Sequence, residues 1–412
     1  MIMKLKFYTL ICISALFLFA ACEQEDDPIP AEKVSRTVLV YIMADNSLSK
    51  LASTDINEMM EGMKSVDASL YNLLVYVDDN SSQGSSYYAA PTLYRLSKDK
   101  KGNVQKEVVK EYKEQISTDP SVFQEVLTRA YTQYPAESYG LVLWSHGEGW
   151  IPSPLPAKKN TSTRWIGQDT TDGDNYLNIA DIASVLAKLP HFEFILFDAC
   201  FGQAIEVAYE LRQYADYIIG SPTEIPGPGA PYDKVVPAMF ANTNVGVEIG
   251  EAYYKPYDKP AYTGEVPLDN YNWTGGVSVS VIKCAALDEL ASVTKQTLKS
   301  VDLNILLNSN LYDYDKRSKY SSSFVGYYDM KQLMQLLSNN INAWTSAANN
   351  AIIYWKTTPK NYSGIANTMF SIPQEITCGV SHYIPMSLSS SAAAAYRSTS
   401  WYTAAGLDQI GW

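Results

Sequence analysis

Residues 194–200 read Phe194-Ile195-Leu196-Phe197-Asp198-Ala199-Cys200, an apolar run that stops at an acid, a small residue and a thiol. The run predicts a buried strand, and residues 201–211 carry apolar side chains at helical spacing. Cys200 is therefore expected between a strand and a helix, where the first amides and the dipole of the helix would lower the pKa of its thiol. Because side chains alternate along a strand, Asp198 is expected on the same side as Cys200.

A second stretch has the same construction. Residues 139–150 read Tyr139-Gly140-Leu141-Val142-Leu143-Trp144-Ser145-His146-Gly147-Glu148-Gly149-Trp150, an apolar strand that ends at a histidine between small residues. In an open parallel sheet, chemistry gathers outside the carboxyl ends of the strands, so His146 and Cys200 are expected at one edge as a catalytic pair. The alternative is that Cys200 is an inert buried thiol. The pair is favoured because the chain holds only 3 His and one stands at a strand end.

These blocks carry a family resemblance. Trp144-Ser145-His146-Gly147, followed later by Phe197-Asp198-Ala199-Cys200, resembles the clostripain family of cysteine peptidases, relatives of caspases, gingipains and legumains. The first strand and turn, residues 40–48, and the segments 220–224 and 227–232 are also similar to that family. The resemblance covers roughly Thr37 to Pro385, and it implies an α/β fold: a caspase-like α/β/α sandwich with a mainly parallel central sheet and a C-terminal extension.

The resemblance also implies a mechanism. Cys200 would be the nucleophile, His146 the general base and then the acid, and the backbone amides of Gly147 and Cys200 would hold the oxyanion. No third residue that orients the histidine is identified from the sequence. Protein or peptide substrates are expected, and the chemistry needs no cofactor.

Substrate specificity is expected to depend on Asp198. It matches the family residue that lines the pocket for the side chain before the scissile bond, where a carboxylate favours Arg or Lys. The alternative is a structural acid that is hydrogen-bonded to neighbouring amides. Thr223, Glu224 and Tyr232 are further candidates for lining this pocket, although the loop that holds them departs from the usual family pattern.

Residues 151–164 are rich in Pro, Lys, Ser and Thr and have no apolar period, which predicts a loop leaving the strand end of His146. Clostripain relatives mature by self-cleavage in the corresponding region. A site specific for basic residues would find Lys158 and Lys159 tethered beside it, so self-cleavage is predicted at one of them.

The N-terminus predicts export. Residues 1–21 combine Lys4 and Lys6 with an uncharged apolar run, which is typical of a signal peptide. Phe19-Ala20-Ala21-Cys22 resembles a lipoprotein processing site, so Cys22 is expected to be lipidated; the alternative is an ordinary signal peptide cut nearby. Residues 22–35 would be an acidic flexible tether, and the protein is expected in the cell envelope, at the outer membrane or cell surface.

Strands and helices alternate after Arg36, as in a parallel sheet with crossover helices. We expect a catalytic core at 36–235 and a C-terminal part at 236–412 that completes the sheet and caps the domain, in a monomeric protein. A single helix is predicted near Lys234 to Tyr254 and a late strand at Gly379 to Pro385. The net charge of −12 and the absence of a basic cluster in the sequence argue against nucleic acid binding.

The sequence gives little indication of a metal site or a disulfide bond. Residues 168–175, Gln168-Asp169-Thr170-Thr171-Asp172-Gly173-Asp174-Asn175, hold enough acids to suggest calcium, but their spacing does not fit an EF-hand. A turn before a helix at Asn178, with Asp181 completing a capping pair, is the favoured interpretation. His191 and His382 show no paired spacing, so no catalytic zinc is expected. Cys284 and Cys378 are expected to be buried thiols, with a bridge between them left open.

A competing class is a non-catalytic surface lipoprotein that binds glycan or protein. It is suggested by 31 Tyr and 8 Trp, but aromatic residues also build cores. A protein that had lost catalysis would be expected to lack one of the two catalytic residues, and this chain keeps both.

Overall fold

A central sheet of nine strands organises the computed structural model, which describes residues 30–79, 90–151, 165–259, 275–298, 303–321 and 324–412. The five middle strands are parallel, and two antiparallel strands extend each side. In sheet order the strands are β12 (Ile352–Thr357), β10 (Ser278–Lys283), β9 (Ala215–Gly220), β8 (Phe192–Asp198), β5 (Ala136–Trp144), β1 (Val34–Ala44), β2 (Tyr71–Asp79), β3 (Thr92–Lys98) and β4 (Val104–Glu111).

Helices cover both faces of this sheet. Alternation along β1 sends Val38, Val40 and Ile42 to one face and Leu39 and Tyr41 to the other, and all five are fully buried. The first face packs against α1 (Ser49–Met63), α5 (Tyr232–Met239) and α6 (Val245–Tyr254). The second face packs against α2 (Pro120–Gln133), α3 (Ile179–Leu186), α4 (Ile205–Leu211), α7 (Leu287–Thr297), α9 (Met330–Leu337), α10 (Asn342–Ala351), α11 (Ser391–Tyr396) and α12 (Ser400–Ala404). The predicted α/β/α sandwich with a mainly parallel sheet is confirmed.

The remaining elements are short. They are α8 (Leu303–Leu307) and three two-stranded pairs: β6 (Gln168–Asp169) with β7 (Asn175–Tyr176), β11 (Tyr327–Asp329) with β15 (Ser381–Tyr383), and β13 (Asn361–Ser363) with β14 (Thr368–Phe370).

Local sequence signals explain several element boundaries. Asp119 caps α2 by accepting a hydrogen bond from the backbone N–H of Ser121, and Pro120 occupies the first turn. Asp329 caps α9 in the same way by accepting from the N–H of Gln332.

The single helix predicted near Lys234 to Tyr254 is wrong. The chain forms two helices, α5 and α6, and Asn244 between them adopts the left-handed conformation with φ of 51°. This conformation turns the chain before α6, and asparagine tolerates it better than most residues. The late strand predicted at 379–385 forms only at Ser381–Tyr383, where it pairs with β11 outside the central sheet.

The C-terminal part contributes two strands, β10 and β12, to the central sheet. The predicted boundary at 235/236 falls inside α5, and the division into two parts stays a prediction. Within the described residues, no helix combines the length and apolar character needed to cross a membrane. The three cysteines that the structure describes, Cys200, Cys284 and Cys378, are all unbridged, which resolves the open question about a bridge between the last two.

Candidate active site

Strand register brings the two sequence blocks together. β5 and β8 are adjacent and parallel, and Trp144 pairs with Asp198 at the end of their register. His146 and Cys200 each stand two residues beyond this last pair, on neighbouring strand ends. Both line one cavity of about 660 Å³, and Asp198 and Glu224 also contribute to its lining.

The His146 side chain has a defined partner. It is half-buried, and its Nε2 lies 2.8 Å from the Oγ of Ser47, in the turn between β1 and α1. Burial lowers the pKa of His146 from its ordinary value, so the ring is neutral at physiological pH.

The environment of Cys200 differs from the expectation. The helix that follows begins only at Ile205, with Phe201 in the left-handed conformation (φ 57°) in between. Burial, followed by the charge of Glu224, raises the pKa of the Cys200 thiol, although the backbone N–H of Ile225 donates to Sγ at 3.4 Å. The predicted lowering of the pKa by a helix N-terminus is therefore wrong, and burial favours the neutral forms of the Cys200 thiol and the His146 imidazole.

Gly147 packs closely against Cys200. A Cβ on this residue would lie 2.5 Å from the carbonyl oxygen of Cys200 and 3.0 Å from the Cβ of Ala199. Only glycine allows the two strand ends to approach this closely, which places the backbone of Gly147 beside that of Cys200.

Asp198 lies at the base of the cavity and is 2% exposed. Its carboxylate accepts hydrogen bonds from the hydroxyls of Tyr232 (2.7 Å) and Tyr253 (2.9 Å) and from the N–H of Ala230 (3.1 Å). Burial raises the pKa of Asp198, while these donors act in the opposite direction. Gly229, with φ of 61°, passes directly over it, since a Cβ there would lie 2.9 Å from Oδ2.

The other candidate pocket residues lie at different depths. Glu224 lines the cavity, where its carboxylate accepts from the hydroxyl of Ser363 and from the N–H of Ile365 at 3.2 Å. Tyr232 is fully buried and supports Asp198 from behind. Thr223 is also fully buried and donates to the carbonyl of Tyr314 at 2.8 Å, away from the cavity lining.

A buried ion-pair network that sequence reasoning missed lies beside the cavity. Arg317 Nη1 donates to both oxygens of Glu148 (2.9 and 3.3 Å), and its Nε donates to Asp315 Oδ1 at 2.7 Å. Glu148 directly follows Gly147 and lines the cavity. Glu148 and Arg317 are 169 residues apart, and no local pattern marks either as a partner.

Residues 168–175 form a hairpin. β6 and β7 pair across it, and Asp169 accepts from the N–H and hydroxyl of Ser117. The predicted turn before α3 is present, and Asn178 donates to the carboxylate of Asp181 at 3.1 Å, but this contact does not cap the helix, so the predicted capping pair is wrong. Among the described residues, no group of three or more His, Cys, Asp or Glu side chains is arranged to hold a metal ion.

The other two histidines have structural partners. His191 pairs with Asp216 at the surface at 3.1 Å. His382 is 1% exposed, accepts from the indole N–H of Trp401 at 3.1 Å, and has its pKa lowered to about 4 by burial. The predicted cleavage residues Lys158 and Lys159 and the predicted lipidation residue Cys22 lie outside the described residues.

Comparisons with known proteins agree with this geometry. A secreted C11 cysteine protease from Bacteroides thetaiotaomicron, solved with an irreversible peptide inhibitor, is 44% identical, with a TM-score of 0.79 over 91% of this chain and 100% of that chain. An inactive zymogen C11 protease from Parabacteroides distasonis is 31% identical, with a TM-score of 0.74 over 92% and 99% of the two chains. Clostripain of Hathewaya histolytica is 27% identical over 220 residues, 48% of this chain but only 41% of the length of clostripain.

An α/β/α sandwich with a thiol and an imidazole on neighbouring strand ends defines the class of caspase-like cysteine peptidases. Within that class the sequence profile of the clostripain family matches residues 40–407, which is most of the chain. The protein therefore belongs to the clostripain family, and the predicted family is confirmed.

Proposed function

We propose that this protein is a cysteine endopeptidase that cleaves peptide bonds with Cys200 and His146, preferentially after Arg or Lys. The observation that carries the proposal is the register of β5 and β8, because it delivers both side chains to the lining of one cavity that has a buried carboxylate at its base. The similarity to the inhibitor-bound Bacteroides thetaiotaomicron protease supports it.

The chemistry starts from the neutral pair. His146 takes the thiol proton as Sγ attacks the substrate carbonyl carbon, and the backbone amides of Gly147 and Cys200 stabilise the oxyanion that forms. Donors of this type contribute about 2.7–4 kcal/mol each. His146 then protonates the leaving amine, which leaves a thioester on Cys200. A water that gives its proton to His146 attacks the thioester, and the acid product and the thiol are released.

Basic specificity is supported by the charge of the cavity. The described residues that line it include three acids, Glu148, Asp198 and Glu224, and one lysine, Lys50. Arg317 already pairs with Glu148, so Asp198 and Glu224 supply the unbalanced negative charge. A guanidinium or ammonium group entering above Asp198 would offset the desolvation of that carboxylate.

Fluorogenic peptides ending in Arg, Lys or Ala test this proposal. Cys200→Ala and His146→Ala are expected to abolish cleavage while changing the free energy of unfolding by less than about 2 kcal/mol, because neither leaves a large core cavity. Cys284→Ala is the matched control and should cleave like the wild type. Turnover that persists in Cys200→Ala, or an equal rate on all three peptides, would refute the catalytic pair or the basic specificity respectively. A protein that binds glycan or protein without catalysis would cleave none of them.

Maturation by self-cleavage after Lys158 or Lys159 is a further part of the proposal. The described residues on either side of 152–164 are buried, with Ile151 at 1% and Trp165 at 7% exposure, and Trp165 lines the cavity. The described chain therefore resumes, at Trp165, in the lining of the cavity. The relative from Parabacteroides distasonis, described as an inactive zymogen, supports an inactive precursor.

Mass spectrometry of the stored protein tests the processing step. Under denaturing conditions, wild-type protein should separate into two fragments whose shared cleavage point follows Lys158 or Lys159. The Cys200→Ala protein should stay intact. A doubly substituted Lys158→Ala/Lys159→Ala protein should stay uncut at this bond. A fully active wild type that remains a single chain would contradict processing and leave the catalytic pair standing.

The proposed location is the cell envelope, with a lipid on Cys22 holding the domain at the membrane by the tether 22–35. Metabolic labelling with a radioactive fatty acid tests it. Label in the wild type and its absence in Cys22→Ala are expected, and equal label in both would refute lipidation at this residue.

A further inference from the structure

Ser47 is the partner of the catalytic imidazole. Its Oγ lies 2.8 Å from His146 Nε2, although 99 residues separate the two. Ser47 is exposed at the cavity rim, and no carboxylate or amide hydrogen bond to the His146 ring is seen among the described residues.

The turn that carries Ser47 is tied to the strand end that carries His146. Asn46, 3% exposed, donates from Nδ2 to the carbonyls of Met43 (2.9 Å) and Gln168 (2.8 Å). Ser145, 4% exposed, donates from Oγ to the same carbonyl of Met43 at 2.8 Å.

Two backbone N–H groups, one of them in the hairpin of β6 and β7, add hydrogen bonds to this network. The backbone N–H of Gln168 donates to Ser145 Oγ at 3.1 Å, and the N–H of Leu48 donates to Asn46 Oδ1 at 2.9 Å. The residues immediately before Ser47 and His146 are thus fixed to one another by buried hydrogen bonds, and the hydroxyl and the ring are held at a constant separation.

We propose that Ser47 is the positioning residue of the catalytic pair: its hydroxyl oxygen accepts the Nε2–H of His146, so that Nδ1 is the ring nitrogen that exchanges protons with Cys200 and the leaving amine. The inference rests on the proposed function and deepens it. A neutral imidazole has one N–H, so if Nδ1 is free to take the thiol proton, Nε2 carries the hydrogen and the Ser47 hydroxyl accepts it.

The same contact stabilises the imidazolium that forms during catalysis, because its Nε2–H remains bonded to an oxygen. A hydroxyl has no charge, so it orients the ring without the strong electrostatic attraction of a carboxylate. This fits a ring whose pKa is set by burial. The other titratable groups around the cavity are Lys50, Glu148, Asp198, Cys200 and Glu224.

Ser47→Ala tests the proposal, with Ser47→Thr to restore the hydroxyl. The control is Ser53→Ala, an exposed serine of α1 whose hydroxyl donates to the carbonyl of Lys50 at 3.4 Å. One neutral hydrogen bond predicts that Ser47→Ala lowers kcat about three- to tenfold with little change in KM. Ser47→Thr should recover most of this loss, and Ser53→Ala should match the wild type.

The pH profile separates positioning from a structural effect. Without the acceptor, the imidazolium is less stable, so the pKa of His146 falls and the acid limb of kcat/KM moves to lower pH, by up to about one pH unit. The rate of alkylation of Cys200 by iodoacetamide should show the same displacement and needs no peptide substrate. An unchanged profile in Ser47→Ala, or a threonine variant as impaired as the alanine, would overturn the proposal.

The two hypotheses fail differently. If the wild type cleaves no peptide, the proposed function fails, and alkylation still shows whether Ser47 controls the base beside Cys200. If the wild type is active and Cys200→Ala is not, but Ser47→Ala keeps the wild-type rate and pH profile, only the role of Ser47 is refuted.

Discussion

Replacing Arg317 by Met should destabilise the protein severely. The guanidinium bonds to Asp315 at 2.7 Å and to Glu148 at 2.9 Å, and the side-chain exposures of Arg317, Asp315 and Glu148 are 7%, 1% and 22%. Met fills a similar volume but leaves two carboxylates without their cationic partner in a poorly hydrated site. Removing one partner of a buried ion pair costs about 3–5 kcal/mol, mostly from the desolvated charges that remain.

Leaving Asp315 without its partner should cost free energy in the upper half of that range. Leaving Glu148 without its partner should cost less. Asp315 is almost fully buried, and among the described residues its carboxylate keeps the backbone N–H groups of Val325 (2.8 Å) and Arg317 (3.1 Å) as donors. Glu148 is partly hydrated and can recover water. We therefore expect a loss of about 4–5 kcal/mol.

Urea denaturation with a constant m-value measures the loss. Arg129→Met is the matched control, since Arg129 pairs with Glu125 at 3.0 Å on the exposed side of α2, and such surface pairs contribute about 0.3–0.5 kcal/mol. Adding Asp315→Asn to Arg317→Met should recover part of the stability by removing the most buried charge. A loss below about 1 kcal/mol, or an equal loss in the control, would refute this account of the network.

The same substitution should also affect catalysis. Glu148 follows Gly147 directly, so releasing its carboxylate loosens the backbone amide that is proposed to hold the oxyanion. The Arg317→Met protein, assayed at urea concentrations well below its unfolding midpoint, should show a lower kcat than the wild type. Equal kcat would show that the network stabilises the fold without positioning the loop.

The sequence predicted the parts of the site that depend on local patterns. An apolar run followed by a thiol or imidazole marks a strand end, and parallel pairing of β5 and β8 then follows from the alternation of strands and helices. Asp119 and Asp329 cap α2 and α9 in an equally local way, because each capping side chain lies within three residues of the amide that it bonds.

Contacts between distant segments were not predictable in this way. Tyr253 supports Asp198 from 55 residues away, and Ser363 reaches Glu224 from 139 residues away. No periodicity or spacing links such pairs, because they meet only after the helices pack on the sheet. The pKa of Cys200 was mispredicted for a related reason: the distance from the thiol to the helix start depends on the turn at Phe201, whose left-handed backbone has no reliable sequence signal.

Three further predictions concern individual side chains. Asp198→Asn should raise KM for Arg-ended peptides about tenfold or more and leave neutral peptides nearly unchanged, since a hydrogen bond to a charged group is lost; steady-state kinetics on both peptide classes measures it, and equal effects would favour a structural acid. Iodoacetamide should label Cys200 before Cys284, which is 3% exposed, or Cys378, because Cys200 shares its cavity with His146, which can take the thiol proton; peptide mapping gives the order, and earlier labelling of either would contradict the assignment of the nucleophile. Asp55→Asn should make the protein more stable than the wild type, and the difference in unfolding free energy should grow as the pH rises. Asp55 accepts from the indole N–H of Trp144 at 2.7 Å, and burial, then the nearby Asp198, raises its pKa to about 9. The folded state thus keeps a proton that the unfolded chain releases near pH 4, and the wild type loses up to about 1.4 kcal/mol per pH unit between those values. Asparagine cannot ionise and still offers an oxygen to Trp144. The difference in unfolding free energy between variant and wild type should therefore widen from pH 5 to pH 8, whereas exposed Asp172→Asn should show no such trend. A constant difference across this range would mean that Asp55 is already ionised in the folded protein.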